Sequence, residues 1–300
     1  MASAVDPLSA HPPAERGRAS AHAIPWVGMA WFSVLLIGAF FPVLRGLVGQ
    51  WSTDEDVSHG FFVPVVAAFI AWQRREKILA TELKPAWWGL AIMAWGALQG
   101  WVGTLGAELF LQRSSFLISL VGLLLVIGGT NLLKALAFPL LLLPFMIPIP
   151  AVIYSQITLP LQLFASQVAE TVLGALGIPV LRDGNILELA SQKLSVVEAC
   201  SGIRSLLSLT FLSQVYAYFF DQRVWMRWFL LLVTIPIAIL ANAGRVAITG
   251  ILSEFNTELA QGFFHELEGW VIFLIAVALL AGAHALTCKI INGRTSARGA

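Results

Sequence analysis

Residues 115–133 read "SFLISLVGLLLVIGGTNLL", nineteen positions without one charged side chain. The hydrocarbon core of a bilayer asks for about 20 apolar residues in a helix rising 1.5 Å per residue, so this stretch predicts a transmembrane helix. Outward from it, seven more candidates appear, giving spans at 26–48, 59–73, 86–107, 115–133, 135–154, 202–220, 228–247 and 269–288. The second is short. The fifth contains "LLLLPFMIPIP", whose prolines predict a kink or an end near Pro148–Pro150. Trp87, Trp88 and Trp101 fall toward span ends, where interfacial belt residues sit.

Composition agrees. Of 300 residues, 58% are hydrophobic and 12% charged, against about a quarter charged in a soluble domain. The fold class that follows is all-α, a polytopic membrane helix bundle of about eight spans. A net charge of +1 without a basic, aromatic-interleaved stripe excludes nucleic acid as a partner. Two cysteines, Cys200 and Cys288, build no disulfide framework, and no CxxC or His/Cys spacing predicts a metal. No cofactor is expected. The organisation predicted is a flexible cytoplasmic tail over 1–25 without a signal-peptide core, one multi-spanning domain over 26–290, and a cytoplasmic tail over 291–300.

Two segments depart from the plain span pattern. Residues 156–176 place Gln156, Gln162, Gln167 and Glu170 among apolar residues, predicting an amphipathic interfacial helix, with a ninth span as the other possibility. Residues 178–199 alternate in β fashion around Asp183-Gly184, a tight-turn signal, and predict a small extracytoplasmic β-like loop such as a hairpin.

Eight spans with both termini inside put 12 of the 18 basic residues on the cytoplasmic side. Cys200, in "VVEACSGIRS" (196–205), then opens outward at the start of the sixth span. Arg245 falls near the outward end of the seventh, and His265 just before the eighth. Ionisable residues at membrane depth are functional candidates.

A cysteine at a helix N-terminus has its thiol pKa lowered by the helix dipole. Arg204, four residues on, shares its helix face and adds positive potential; Glu198 opposes that, or pairs with Arg204. Asn242 lies three residues before Arg245 and faces the same way. Arg245 is placed either to snorkel to the interface or to hold a developing oxyanion. His265 fits a general acid and base, with Glu266 or Glu268 orienting its ring. Together thiol, guanidinium and imidazole form the set that cysteine acyl transfer requires. Asp54, Glu55, Asp56 and His59 read as a solvated loop with His59 packing near the site, in preference to a metal centre. Cys288, at the inner end of the last span, reads as structural or as a lipidation site.

Four motifs carry a resemblance. "VSHGFFVP" (57–64), "VVEACSGIRSLLSL" (196–209), "ANAGRVAITG" (241–250) and "HELEGW" (265–270) resemble the exosortase/archaeosortase family, in that family's order, over about residues 26 to 290. The resemblance implies a membrane-embedded cysteine protease/transpeptidase with Cys200 as nucleophile, Arg245 as oxyanion stabiliser and His265 as acid/base. It implies membrane-anchored substrate proteins whose C-terminal sorting signal is a Pro-Glu-Pro motif, a transmembrane helix and a basic cluster. It further implies a link to exopolysaccharide surfaces and a place in the cell inner membrane. His265 points to the bacterial branch. Some members carry a further C-terminal domain, whose work is expected here from another protein. Arg204, Glu198, His59 and Asn242 are expected to support the site or bind substrate. Two other readings compete. A membrane acyl- or glycosyltransferase would depend on Asp54 and Glu55 instead of Cys200. A transporter or export scaffold would carry charges through mid-span, where this chain has almost none.

Overall fold

The computed structural model describes residues 26–196, 202–255 and 262–298, with side chains omitted at a few of their ends. The charge-free stretch lies within one helix, α6 (Leu109–Ala135), which packs antiparallel against α5 (Gly89–Leu105). Lipid supplies no hydrophobic drive between helices, so close approach through small residues holds such a pair together. Gly89, Gly96 and Gly103 of α5 recur every seven residues and are all buried. A Cβ at Gly96 would come 2.4 Å from Ser119 Oγ, and one at Gly122 would come 2.7 Å from the Met93 amide nitrogen. Trp88 and Trp101 flank α5 and are exposed, as belt residues are.

α6 is broken at Gly129, where φ is 66°. The helix carbonyls near the break do not go unpaired. Lys84 and Ala86, in the extended segment before α5, donate their N–H groups to Gly128 and Leu125 at 3.2 and 3.0 Å. This meets the requirement that backbone polar groups within a bilayer be satisfied internally.

Ahead of this pair, α1 (Trp26–Ala39) and α2 (Phe41–Thr53) meet at 68°. The sequence predicts one span here; Pro42 in the first turn of α2, without an N–H to continue the ladder, accounts for the bend. A 3-10 helix (Glu55–Phe61) leads into α3 (Phe62–Gln73) and α4 (Arg75–Leu79). α7 (Ala137–Leu142) continues as a 3-10 turn (Leu143–Met146) and ends before Pro148–Pro150, as predicted. One core joins these elements: Leu47, Trp51, Val63, Ile70, Phe138, Leu142, Met146 and Phe211. Trp51 also donates its indole N–H to the Met146 carbonyl at 2.9 Å. A Cβ at Gly60 would collide with the Trp51 ring.

α8 (Ala151–Ala175) follows at 82° to the α7 segment. Beyond it lie β1 (Val180–Asp183), β2 (Ile186–Leu189) and β3 (Lys193–Ser195), an antiparallel sheet in that order, turning at Gly184 with φ 60°. The predicted hairpin is therefore a three-stranded meander. Three long helices complete the chain: α9 (Gly202–Phe220), α10 (Val224–Phe255) and α11 (Gly262–Arg298). Leu187, Leu189 and Leu194 of the sheet, with Val196 just after it, pack on Ala165, Ala169 and Leu173 of α8 and Ala243, Val246 and Ala247 of α10. The polar residues of α8 serve the sheet. Gln162 accepts a hydrogen bond from Asn185 at 3.1 Å, and Glu170 binds Arg182 at 2.8 Å. Val152, Ile153, Leu159 and Phe164 are exposed instead, an apolar face suited to lipid.

Among the described residues three helices are each long and apolar enough to cross a bilayer, and up to five spans result if each bent pair counts as one. The sequence alone predicts about eight. Three predicted spans are not counted. α3, with 12 residues, and α5, with 17, are shorter than a full crossing of about 20. The third, α9, is interrupted by Arg204, Ser205, Ser208, Thr210, Ser213 and Gln214. The architecture is a multi-pass all-α membrane bundle carrying one small sheet.

Candidate active site

Three helix ends come together by connectivity. α9 and α10 are joined by the short turn 221–223 and run antiparallel. α10 and α11 also run antiparallel, with Thr249 and Glu268 in contact. The start of α9, the end of α10 and the start of α11 therefore lie at one end of the bundle. Cys200 and Glu198 precede α9 and lie outside the described residues. Position 265 belongs to the first turn of α11, and its side chain lies outside them too.

Arg245 is three residues past the buried Asn242 on α10, so both look toward one side. The guanidinium packs onto Gly269 of α11: a Cβ there would come 3.0 Å from Nη2 and 3.1 Å from Cζ. Gly269 is one helical turn after position 265, on the same face. The glycine thus makes room for the cation directly beneath the turn that bears the histidine. One turn beyond Arg245, Thr249 donates to both carboxylate oxygens of the buried Glu268, at 3.0 and 2.9 Å. Glu266 or Glu268 is expected from sequence to orient His265; the side chains of 265 and 266 lie outside the described residues, and Glu268 is held by Thr249 of α10.

Arg204, in the first turn of α9, is held from a distant part of the chain. Its Nε donates to Asp56 at 3.0 Å and its Nη1 to Glu55 at 2.8 Å. Tyr154, in the first turn of α8, donates its hydroxyl to the other Asp56 oxygen at 2.8 Å. Two carboxylates offset the Arg204 charge, so its field at the neighbouring thiol is weaker than sequence spacing alone predicts. Asp54 caps its 3-10 helix by accepting from the Asp56 N–H at 3.0 Å. The acidic loop thus clamps the start of α9 while Glu55 remains exposed to solvent.

His59, in the 3-10 helix ahead of α3, packs beside this clamp. Its Nε2 lies 3.2 Å from the Phe145 carbonyl. A carbonyl only accepts, so the proton is on Nε2. Burial pushes the His59 pKa below its ordinary value, against the opposing pull of hydrogen bonds to backbone. A neutral ring in that setting joins the loop to the Leu143–Met146 turn.

A small crevice between α8, α9 and α10 is lined by Leu161, Leu206, Ala238, Ile239 and Asn242. The structure therefore groups Arg245 and Asn242 with the first turn of α11, and groups Arg204 with His59 through the acidic loop. Tyr154 joins the site without a sequence signal; Thr249 and Gly269 lie within the motifs 241–250 and 265–270, but their roles depend on which helix they meet.

The model of the transmembrane exosortase family matches residues 51–282, which hold every one of these positions. No curated protein and no solved structure matches the chain.

Proposed function

Because the chain belongs to the transmembrane exosortase family, we propose that it is a membrane cysteine protease/transpeptidase with Cys200 as nucleophile, Arg245 as oxyanion stabiliser and His265 as acid/base. The substrate is a membrane-anchored protein whose C-terminal signal carries a Pro-Glu-Pro segment, a transmembrane helix and a basic end. Its basic end in the cytoplasm presents the Pro-Glu-Pro segment at the extracytoplasmic face of the inner membrane, where charge bias places the start of α9.

The Cys200 thiolate attacks a backbone carbonyl carbon near that segment, forming a C–S bond and moving the carbonyl π electrons onto oxygen. Arg245 donates hydrogen bonds to this oxyanion; as a fixed cation in a low-dielectric seam it acts without reorganising. Collapse of the intermediate breaks the C–N bond, and the departing amine takes its proton from imidazolium at position 265. A thioester on Cys200 remains. Water or an acceptor amine then attacks it, delivering its proton to the imidazole, and the thiolate is regenerated. Asn242, one turn before Arg245 on α10, is placed to bind the substrate chain beside it.

The observation that carries this reading is the contact of the Arg245 guanidinium with Gly269, one turn from position 265. Against the acyl- or glycosyltransferase reading stand the engagement of Glu55 by Arg204 and of Asp54 as a helix cap. Mass spectrometry of a substrate bearing the sorting signal tests the proposal. Wild-type membranes should yield a new substrate C-terminus, and Cys200→Ala membranes only the full-length chain. A new C-terminus in the variant would refute Cys200 as nucleophile.

A further inference from the structure

A second cluster of reactive side chains lies at the other end of the bundle. Asp221 follows α9, a helix of 19 residues and so about 28 Å long, and His284 and Cys288 sit one turn apart on α11. Asp221 Oδ2 is 3.2 Å from His284 Nε2. Cys288 Sγ is 3.4 Å from the same nitrogen and 3.9 Å from the same oxygen. The Asp221 side chain is 5% exposed and that of His284 12%.

The pattern of contacts separates two chemistries. A Cys–His–Asp triad uses the two ring nitrogens for different partners. Here the thiol and the carboxylate share Nε2, while Nδ1 lies 3.0 Å from the Tyr216 hydroxyl. One ring nitrogen turned inward among ligand atoms, with the other fixed by an outer hydrogen bond, is how histidine binds a metal. A tetrahedral zinc ion with ordinary bond lengths holds its N, O and S ligand atoms about 3.4–3.6 Å apart, within a few tenths of an ångström of the spacings observed. An ionised carboxylate and a thiolate gathered around one ring nitrogen carry negative charge that a cation among them would offset. Arg223 supplies part of one from the rim: its Nη2 lies 2.7 Å from Asp221 Oδ2 and 3.0 Å from Cys288 Sγ. The Arg223 side chain is about one-third exposed, so a bound metal ion would have to displace its guanidinium from this rim position.

We propose that Asp221, His284 and Cys288 form a binding site for a divalent transition-metal ion of the zinc class, which ties the α9–α10 turn to the last helix. Binding replaces the Cys288 thiol proton with the metal and releases that proton to solvent; a water takes the fourth position. The site is independent of the acyl-transfer chemistry at the opposite end.

Cobalt(II) alone is the probe, added to purified full-length Cys200→Ser protein, in which Cys288 is the remaining thiol. The expected result is one equivalent bound, with a thiolate-to-cobalt charge-transfer band and the intense visible bands of tetrahedral cobalt. Zinc should displace it, Cys288→Ser should abolish the band, and Tyr216→Phe should weaken binding about tenfold or more. Absence of the band in the Cys200→Ser protein would overturn the proposal. So would a cobalt stoichiometry unchanged by Cys288→Ser. Should that variant not purify intact, alkylation of Cys288 in the Cys200→Ser protein decides the same question: protection by zinc supports the site, and equal alkylation with and without zinc overturns it.

Discussion

Arg204 shows how one side chain changes meaning once its partners are known. From spacing it is a cation four residues after a thiol; in the fold it is gripped by Glu55 and Asp56, about 150 positions away in sequence. Charge pairing across such a separation leaves no periodic trace, so Glu55 and Asp56 were not legible as its partners, nor Tyr154 as the partner of Asp56. The single-turn relations were legible: Asn242 with Arg245 needed only helical geometry. His59 gives a prediction at this scale. Burial holds its pKa below the ordinary value of about 6.5, so below that pH the unfolded chain binds a proton that the native ring resists. Stability from this site is therefore present above about pH 6.5 and declines as pH falls. The apparent Tm in detergent should drop between about pH 7 and about pH 5. His59→Gln retains an N–H for the Phe145 carbonyl and should flatten part of that slope. An identical slope in the variant would show that His59 does not titrate with unfolding.

Helices and strands account for most of what could be read in advance. Apolar runs located the long helices, Asp183-Gly184 located the turn between β1 and β2, and the prolines located the end of the α7 segment. Bends and short helices were harder, because length in sequence does not tell one span from two half-spans meeting at 68° or 82°. α8 is the clearest case: its glutamines and Glu170 suggest a water-facing side, yet Gln162 and Glu170 hold the sheet. The α10–α11 seam supplies the test for elements. A methyl group at Gly269 meets only the end of a flexible arginine, at 3.0 Å, so the bundle can absorb Gly269→Ala by shifting Arg245. Expression and Tm should stay close to wild type. Substrate processing should fall about tenfold to a hundredfold, the range that follows displacement of a catalytic group by about 1 Å. Unchanged processing would remove Arg245 from the mechanism.

At the scale of the molecule, two antiparallel turns set the function. They return the chain so that the start of α9, the end of α10 and the start of α11 share one end, while Asp221, His284 and Cys288 gather at the other. Under the proposed function, a site assembled from these three distant segments would face one side of the membrane, where a substrate helix of matching orientation would bring its scissile segment. The most direct measurement is chemical cross-linking of Cys200 to a second thiol introduced by His265→Cys, in a Cys288→Ser background. A short, membrane-impermeant, bis-thiol-reactive reagent is applied separately to each side of the membrane. An intramolecular link formed only from the extracytoplasmic side is the predicted result. Labelling of the two thiols from opposite sides, or of both from one side with no link between them, would contradict a single acyl-transfer site.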